Sequence, residues 1–165
     1  MVWDAEVRQS AAHWSKVFGV AIDPALIHGV IEKESSHGRN PNYVRNGGIV
    51  PEPGGHVSYG PMQLYDTTVA GMRLGIRPED LATHPSLGIW YGTREFARRL
   101  KALGGDPLKA IASWNPGAGR SYVDAVVGFW NKYKGAVQAG ALPALALAGL
   151  VVWFLARGRR TGAAA

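Results

Sequence analysis

Two apolar segments of this chain each begin with an aspartate followed by a proline, and this arrangement constrains the fold more than any other local feature. Asp23 and Pro24 precede the run that leads to Glu34, and Asp106 and Pro107 precede a second apolar run. An aspartate accepts hydrogen bonds from the free N–H groups at a helix N-terminus, and proline fits the first turn. Apolar residues at helical spacing predict further helices over residues 3–18, after N-caps at Asp66 and Ser86, and over residues 121–133. The sequence therefore predicts a mainly α-helical domain.

Length, cysteine content and charge narrow the class of protein. The 165 residues suffice for one compact domain with an appendage, and the 47% of hydrophobic residues exclude a disordered chain. Cysteine is absent, which excludes disulfides and thiolate sites. The net charge of +6 would attract any polyanion without selecting one. No recognisable nucleic-acid-binding module accompanies this charge, so no specific nucleic-acid partner is expected.

A long segment without helical periodicity follows the helix that leads to Glu34. Residues 38–60 contain six Gly and three Pro. A loop of this length inside a compact domain usually lines a functional site, and a short hairpin fits within it. The five histidines lack paired ligand spacing and the glycines do not follow a strand, so we expect neither a metal site nor a cofactor.

The C-terminal part of the chain differs in composition from the rest. Residues 136–156 form an uncharged segment of 21 residues, whose length as a helix matches a hydrocarbon layer of about 30 Å. We therefore predict a domain over residues 1–134 and a transmembrane helix with a short basic tail over residues 135–165. A buried C-terminal helix is the alternative. The N-terminal residues carry charges throughout and do not resemble a secretory signal peptide.

Glu34 is the first candidate for a chemical role. It lies seven residues after Ile27, four after Val30 and three after Ile31, so it shares the apolar face of its helix. Partial burial of a carboxyl group raises its pKa, which suits a general acid. Glu32 is expected on the opposite face, in solvent. The alternative for Glu34 is a helix-end carboxylate paired with Arg or Lys.

Four short motifs occur in the order typical of soluble lytic transglycosylases. They are Glu34-Ser35, Gly60-Pro61-Met62-Gln63-Leu64, Ala112-Ser113-Trp114-Asn115-Pro116-Gly117 and Tyr122-Val123. In this order they resemble the Glu-Ser, Gly-Leu-Met-Gln, Ala-Tyr-Asn-Ala-Gly and Tyr-Val elements of that family, over about residues 20–133. The stretch NPGAGRSY also resembles goose-type lysozymes. Two residues depart from the pattern: Trp114 replaces the usual Tyr, and Pro61 replaces the usual Leu.

The resemblance implies a lysozyme-like fold that binds the glycan strand of peptidoglycan. Glu34 would protonate the glycosidic oxygen between N-acetylmuramic acid and N-acetylglucosamine. The implied substrate contacts are Ser35 at the muramyl subsite, Met62 and Gln63 on the groove floor, Trp114 and Asn115 in the third motif, and Tyr122 as a hydrogen-bond partner of Glu34. Met62 as core filler and Asn115 as a helix C-cap are the ordinary alternatives.

Two reaction types are compatible with this resemblance. A transglycosylase needs one carboxylate, because the muramyl C6 hydroxyl attacks its own C1 and gives a 1,6-anhydro product. An inverting hydrolase needs a second carboxylate to activate water, and Glu52 and Asp66 are the candidates. An inactive glycan-binding virion structural protein is a third interpretation.

The combination of wall-cutting motifs, an apolar C-terminal segment and no export signal suggests a setting for this chain. We expect a bacteriophage virion-associated enzyme whose partners are a lipid membrane, contacted through residues 136–156, and virion proteins. Its catalytic domain would face the cell wall, in the virion membrane or the host cell envelope. A cellular tail-anchored enzyme is the weaker alternative.

Overall fold

The computed structural model describes residues 2–136, in which helices dominate around one short sheet. The helices are α1 (Asp4–Phe18), α2 (Pro24–Ser35), α3 (Pro41–Arg45), α4 (Asp66–Met72), α5 (Asp80–Thr83), α6 (Pro85–Ala102), α7 (Pro107–Trp114) and α8 (residues 119–136). The strands are β1 (Ile49–Pro51), β2 (Val57–Tyr59) and β3 (Leu64–Tyr65), and 3₁₀ turns span Pro53–Gly55 and Pro116–Ala118. The prediction of a mainly helical domain is confirmed.

The two Asp-Pro pairs begin helices as predicted. The Asp23 carboxylate accepts a hydrogen bond from the Ala25 backbone N–H at 2.8 Å. The Asp106 carboxylate accepts from the N–H groups of Leu108 and Lys109 at 2.9 and 3.2 Å. These side chains replace partners that the first backbone N–H groups of a helix lack.

Two predicted N-caps are wrong. Asp66 is the first residue of α4, after Tyr65 at the N-cap position, and Ser86 lies within α6, which begins at Pro85 after His84. The Asp66 carboxylate instead lies 3.0 Å from Nδ1 of His56. Pro85 can begin α6 because its missing N–H falls where no helical partner exists.

The glycine-rich segment folds into part of an antiparallel sheet with strand order β1-β2-β3. Ile49 pairs with Tyr59 in the first ladder, and Tyr59 pairs with Leu64 in the second. The short hairpin that the sequence predicted here corresponds to β1 and β2, and β3 adds a third strand to it. Leu64 and Tyr59 point into a small apolar cluster with Val69 and Leu81. This cluster joins the sheet to α4 and α5.

Helix α2 lies at the centre of the larger core. Leu26, Ile27, Val30 and Ile31 are buried against residues of α1, α6, α7 and α8. Helices α2 and α8 approach each other closely at Gly29: a Cβ at this position would lie 3.0 Å from the Trp130 nitrogen and the Val126 carbonyl oxygen. The two helices therefore pack closely here, and a side chain at this position would require the α8 backbone to shift.

The predicted transmembrane segment, residues 136–156, lies outside the described residues except for its first residue. Helix α8 is described to residue 136, so the predicted domain end at residue 134 falls within this helix. No helix within residues 2–136 combines the length and apolar character that crossing a bilayer requires.

Candidate active site

A cleft of about 510 Å³ opens between the C-terminal end of α2, the sheet and the C-terminal end of α7. Residues from all of these elements line it: Glu34, Glu52, Ser58, Gln63, Tyr65, Thr68, Arg99, Ser113, Trp114, Asn115 and Pro116. Segments far apart in the chain therefore meet here, including parts of three of the four predicted motifs. The cleft is the candidate active site.

Glu34 reaches the cleft from the last turn of α2 and meets a side chain of α8. The Tyr122 hydroxyl donates a hydrogen bond to Oε1 of Glu34. The two residues are 88 positions apart in the chain, and the close packing of α2 on α8 brings them together. The predicted contact between Tyr122 and Glu34 is confirmed.

The surroundings of Glu34 change its acidity. Burial raises the pKa of Glu34 to about 7, and the negative charge of Glu52 acts in the same direction. The Tyr122 hydrogen bond and the Lys33 charge favour the carboxylate and oppose the rise. A carboxyl group with a pKa near 7 can give up a proton and take one back near neutral pH. The predicted direction of the shift is confirmed.

Tyr122 itself remains a hydrogen-bond donor at neutral pH. Its ring is buried, and burial together with the Glu34 carboxylate raises the pKa of its hydroxyl. Since the hydroxyl keeps its proton, it stabilises the charged form of Glu34 without becoming charged. The Tyr122 hydroxyl thus limits the rise in the Glu34 pKa that burial causes.

The second motif places one of its two predicted residues in the cleft. Gln63 lines the cleft, has a left-handed backbone (φ 48°), and donates from Nε2 to the Gly60 carbonyl at 2.8 Å. Met62 is fully buried, and its sulfur would lie 2.5 Å from a Cβ at Gly92. The prediction that Met62 lines the groove floor is therefore wrong: it packs in the core against α6.

Ser35 also lies away from the cleft. Its side chain is fully buried, its hydroxyl donates to the Ile31 carbonyl at 3.1 Å, and it accepts from the Gly38 N–H at 3.2 Å. Both hydrogen-bonding functions are used within the end of α2. The predicted contact with a muramyl subsite is not supported by this placement, because Ser35 holds the turn after Glu34 instead.

The third motif supplies Trp114 and Asn115 to the cleft wall. Asn115 is the C-cap residue of α7, and its side chain is exposed. The Trp114 ring packs against Phe96, with ring centres 5.9 Å apart. Trp114 therefore presents its ring to the cleft, and packing against Phe96 holds this ring in place.

Arg99 is a cleft residue that the sequence analysis missed. It donates to the Ser113 carbonyl, its guanidinium lies 5.0 Å from the centre of the Trp114 ring, and its Nε donates to the buried Glu95 at 2.7 Å. Arg99 thus ties α6 to the end of α7. The spacing of Glu95 and Arg99, four residues apart on a helix, was the available signal.

The two candidates for a second carboxylate have different positions. Glu52 lines the cleft and accepts a hydrogen bond from the Ser58 hydroxyl at 2.9 Å. Asp66 does not line the cleft and is paired with His56. Of the two, only Glu52 shares the cleft with Glu34.

Glu32 faces away from the cleft, but it is not in solvent as predicted. Its side chain is 13% exposed, and its carboxylate lies 2.5 Å from Nδ1 of His37 and 3.2 Å from Nη2 of Arg39. His37 in turn contacts the buried His28, whose Nε2 lies 3.2 Å from Asp4. Glu32 therefore belongs to a polar cluster that joins α2 to α1.

No group of acidic or histidine residues within residues 2–136 has the arrangement of a metal site.

Replacing Tyr122 with Phe is expected to raise the pKa of Glu34 by about one unit, because its carboxylate loses a hydrogen-bond donor. The titration can be followed by NMR of ¹³C-labelled glutamate carboxyl groups in the folded protein. Tyr133→Phe is the matched control, since the Tyr133 hydroxyl bonds to Glu32 instead. An unchanged Glu34 titration in Tyr122→Phe would show that the hydrogen bond has no effect on this pKa.

Comparison with known proteins identifies the family. The family model of the transglycosylase SLT domain matches residues 16–136, which include the whole candidate site. No curated protein and no solved structure matches the chain. The match covers most of the chain and agrees with the helical fold and with the order of the motifs. The chain therefore belongs to the transglycosylase SLT family of the lysozyme-like superfamily, and its activity is of the peptidoglycan-cleaving lytic transglycosylase type.

Proposed function

We propose that this protein cleaves the β-1,4 bond between N-acetylmuramic acid and N-acetylglucosamine without water and leaves a 1,6-anhydromuramyl end. The observation that carries the proposal is Glu34, a carboxyl group with a pKa of about 7 in a cleft and in contact with Tyr122. The family match supports the substrate, and the acidity of Glu34 supports its use as both acid and base.

The reaction proceeds in two proton transfers. Glu34 first donates its proton to the glycosidic oxygen, the bond from that oxygen to the muramyl C1 breaks, and N-acetylglucosamine leaves with a free O4 hydroxyl. Positive charge develops at C1 as an oxocarbenium-like centre. The C6 hydroxyl of the same muramyl residue then forms a bond to C1, and its proton returns to Glu34. The carboxyl group ends in its starting form.

Tyr122 and the residues that line the cleft have supporting roles in this proposal. Tyr122 stabilises Glu34 while it is negatively charged between the two proton transfers. The Trp114 ring, braced by Arg99, offers a flat apolar surface for a sugar ring, and Gln63 and Asn115 offer amide groups to its hydroxyls. The protein needs to supply no nucleophile, because the C6 hydroxyl of the substrate attacks C1.

Hydrolysis is the alternative, and the position of Glu52 favours it. Glu52 lines the same cleft as Glu34, where a carboxylate could activate a water molecule for attack on C1. Asp66 is placed outside this cleft, so Glu52 is the stronger candidate for this role. Hydrolysis would leave a reducing muramyl end instead of an anhydro ring.

Digestion of purified peptidoglycan is expected to release mainly 1,6-anhydromuramyl products. Mass spectrometry distinguishes them because each is lighter by one water molecule than the hydrolytic product. A Glu52→Gln variant should keep this product pattern. A majority of reducing ends, lost in Glu52→Gln, would instead establish the hydrolase.

Glu34→Gln is expected to lower turnover of purified peptidoglycan by roughly 10²- to 10⁴-fold, since an amide keeps the shape of the side chain but cannot donate the proton. The measurement is product release at saturating substrate, with circular dichroism to check the fold. Glu79→Gln is the matched control, because Glu79 is exposed and lies outside the cleft. Near-normal turnover of Glu34→Gln would refute the assignment of the acid.

A membrane is the proposed setting for the enzyme. Residues 136–156 carry no charge over 21 positions, which supports insertion into a lipid bilayer next to a wall-cutting domain. The catalytic domain would then face the wall, as part of a virion that opens the wall locally during entry, or in the host cell envelope. Virion proteins would be its partners in the first case.

The full chain is expected to float with vesicles of neutral phosphatidylcholine, whereas a chain truncated after residue 136 should stay in the aqueous fraction and still cut the wall. Neutral lipid is specified because the basic chain would bind anionic vesicles by charge alone. A full chain that remains in the aqueous fraction without detergent would contradict membrane insertion.

A further inference from the structure

A second cavity, separate from the cleft, opens between α4, α6 and the end of α1. Its volume is about 500 Å³, and Phe18, Thr67, Met72, Arg94 and Arg98 are among its lining residues. Thr68 and Arg99 line both this cavity and the cleft. The two spaces therefore lie side by side, so one extended ligand can occupy both.

The cavity has an excess of positive charge. Of the residues that the structure describes, three arginines, Arg94, Arg98 and Arg99, and one acidic residue, Glu95, line it. The Glu95 side chain is 4% exposed and accepts hydrogen bonds from both Arg98 and Arg99 at 2.7 Å. Although burial alone would raise the pKa of Glu95, these hydrogen bonds hold it below its usual value. Glu95 therefore stays charged and orients two guanidinium groups.

Of the three arginines, Arg94 is the one that is not bonded to Glu95. Its guanidinium lies 5.9 Å from the centre of the Trp14 ring, and no carboxylate within residues 2–136 pairs with it. Arg98 is bonded to Glu95 but is 59% exposed, so it retains N–H groups that can reach a ligand. Paired guanidinium groups next to a cavity are suited to bind a carboxylate.

We propose that this cavity binds a carboxylate of the peptide stem attached to the glycan strand, with Arg94 and Arg98 as its ligands. The proposal rests on the proposed function, which places the glycan in the adjacent cleft. Each muramyl residue carries its peptide through the lactyl group, so a stem leaves the strand sideways and can pass Thr68 and Arg99. The cavity then makes stem-bearing wall a better substrate than bare glycan.

The test compares two substrates: peptidoglycan with intact stems, and the same strands after an amidase has removed the stems. In the full chain with Arg94→Gln, KM for stem-bearing strands should rise about tenfold, which corresponds to about 1.4 kcal/mol, with kcat unchanged. Arg98 is left in place because it compensates the buried Glu95. KM for bare strands should stay unchanged. Arg45→Gln is the matched control, since Arg45 is exposed and lines neither cavity.

Each other outcome overturns the inference. Equal losses on both substrates would mean that Arg94 acts on the glycan or the fold, and no loss on either would mean that the cavity does not bind the stem. A loss that disappears after hydrofluoric acid removes phosphodiester polymers from the wall would identify phosphate as the bound anion.

A binding measurement separates this inference from the proposed function. Free stem peptide should shift the NMR signals of Arg94 and Arg98 in the Glu34→Gln protein. This variant is used because the measurement detects binding and does not require turnover. Such shifts would support binding of the stem in this cavity even if no cleavage of the wall were detected. If no shifts are seen and the unmodified protein still cuts the wall, the cavity does not bind the stem, and the proposed function is unaffected.

Discussion

The contact between α2 and α8 at Gly29 is the constraint on which the candidate site depends. A Cβ there would come within 3.0 Å of two backbone atoms of α8, and the Trp130 indole donates to Asp23 at 2.7 Å. Because the helices run antiparallel, moving from Gly29 to Glu34 along α2 corresponds to moving from Trp130 back to Tyr122 along α8. The close packing therefore fixes which residue of α8 meets the Glu34 carboxyl.

Polar contacts of α6 support the opposite wall of the cleft. Burying Glu95 is costly unless its charge is compensated, and Arg98 and Arg99 provide that compensation. Arg99 then contacts both the Ser113 carbonyl and the Trp114 ring. The end of α7 is thus held by a charged network as well as by apolar packing, and the same network shapes the neighbouring cavity.

The differences between expectation and structure have a common cause. Ser35 and Met62 belong to recognised motifs, yet both are fully buried and act in the core. Helical periodicity placed Glu32 away from Glu34, but could not show that His37 and Arg39 cover it. A motif or a spacing gives the direction of a side chain relative to its own helix. It does not give the neighbours that surround it.

The sequence alone determined the helices that begin at Asp23 and Asp106 and the placement of Glu34 on an apolar face near a helix end, because caps and periodicity act over a few residues. Its motif order also indicated the family and the contact with Tyr122. Tertiary structure decided that Glu52 shares the cleft and Asp66 does not, and that Arg99 braces Trp114. These contacts join distant segments, and their geometry follows from how the helices and the sheet pack, which no local pattern encodes.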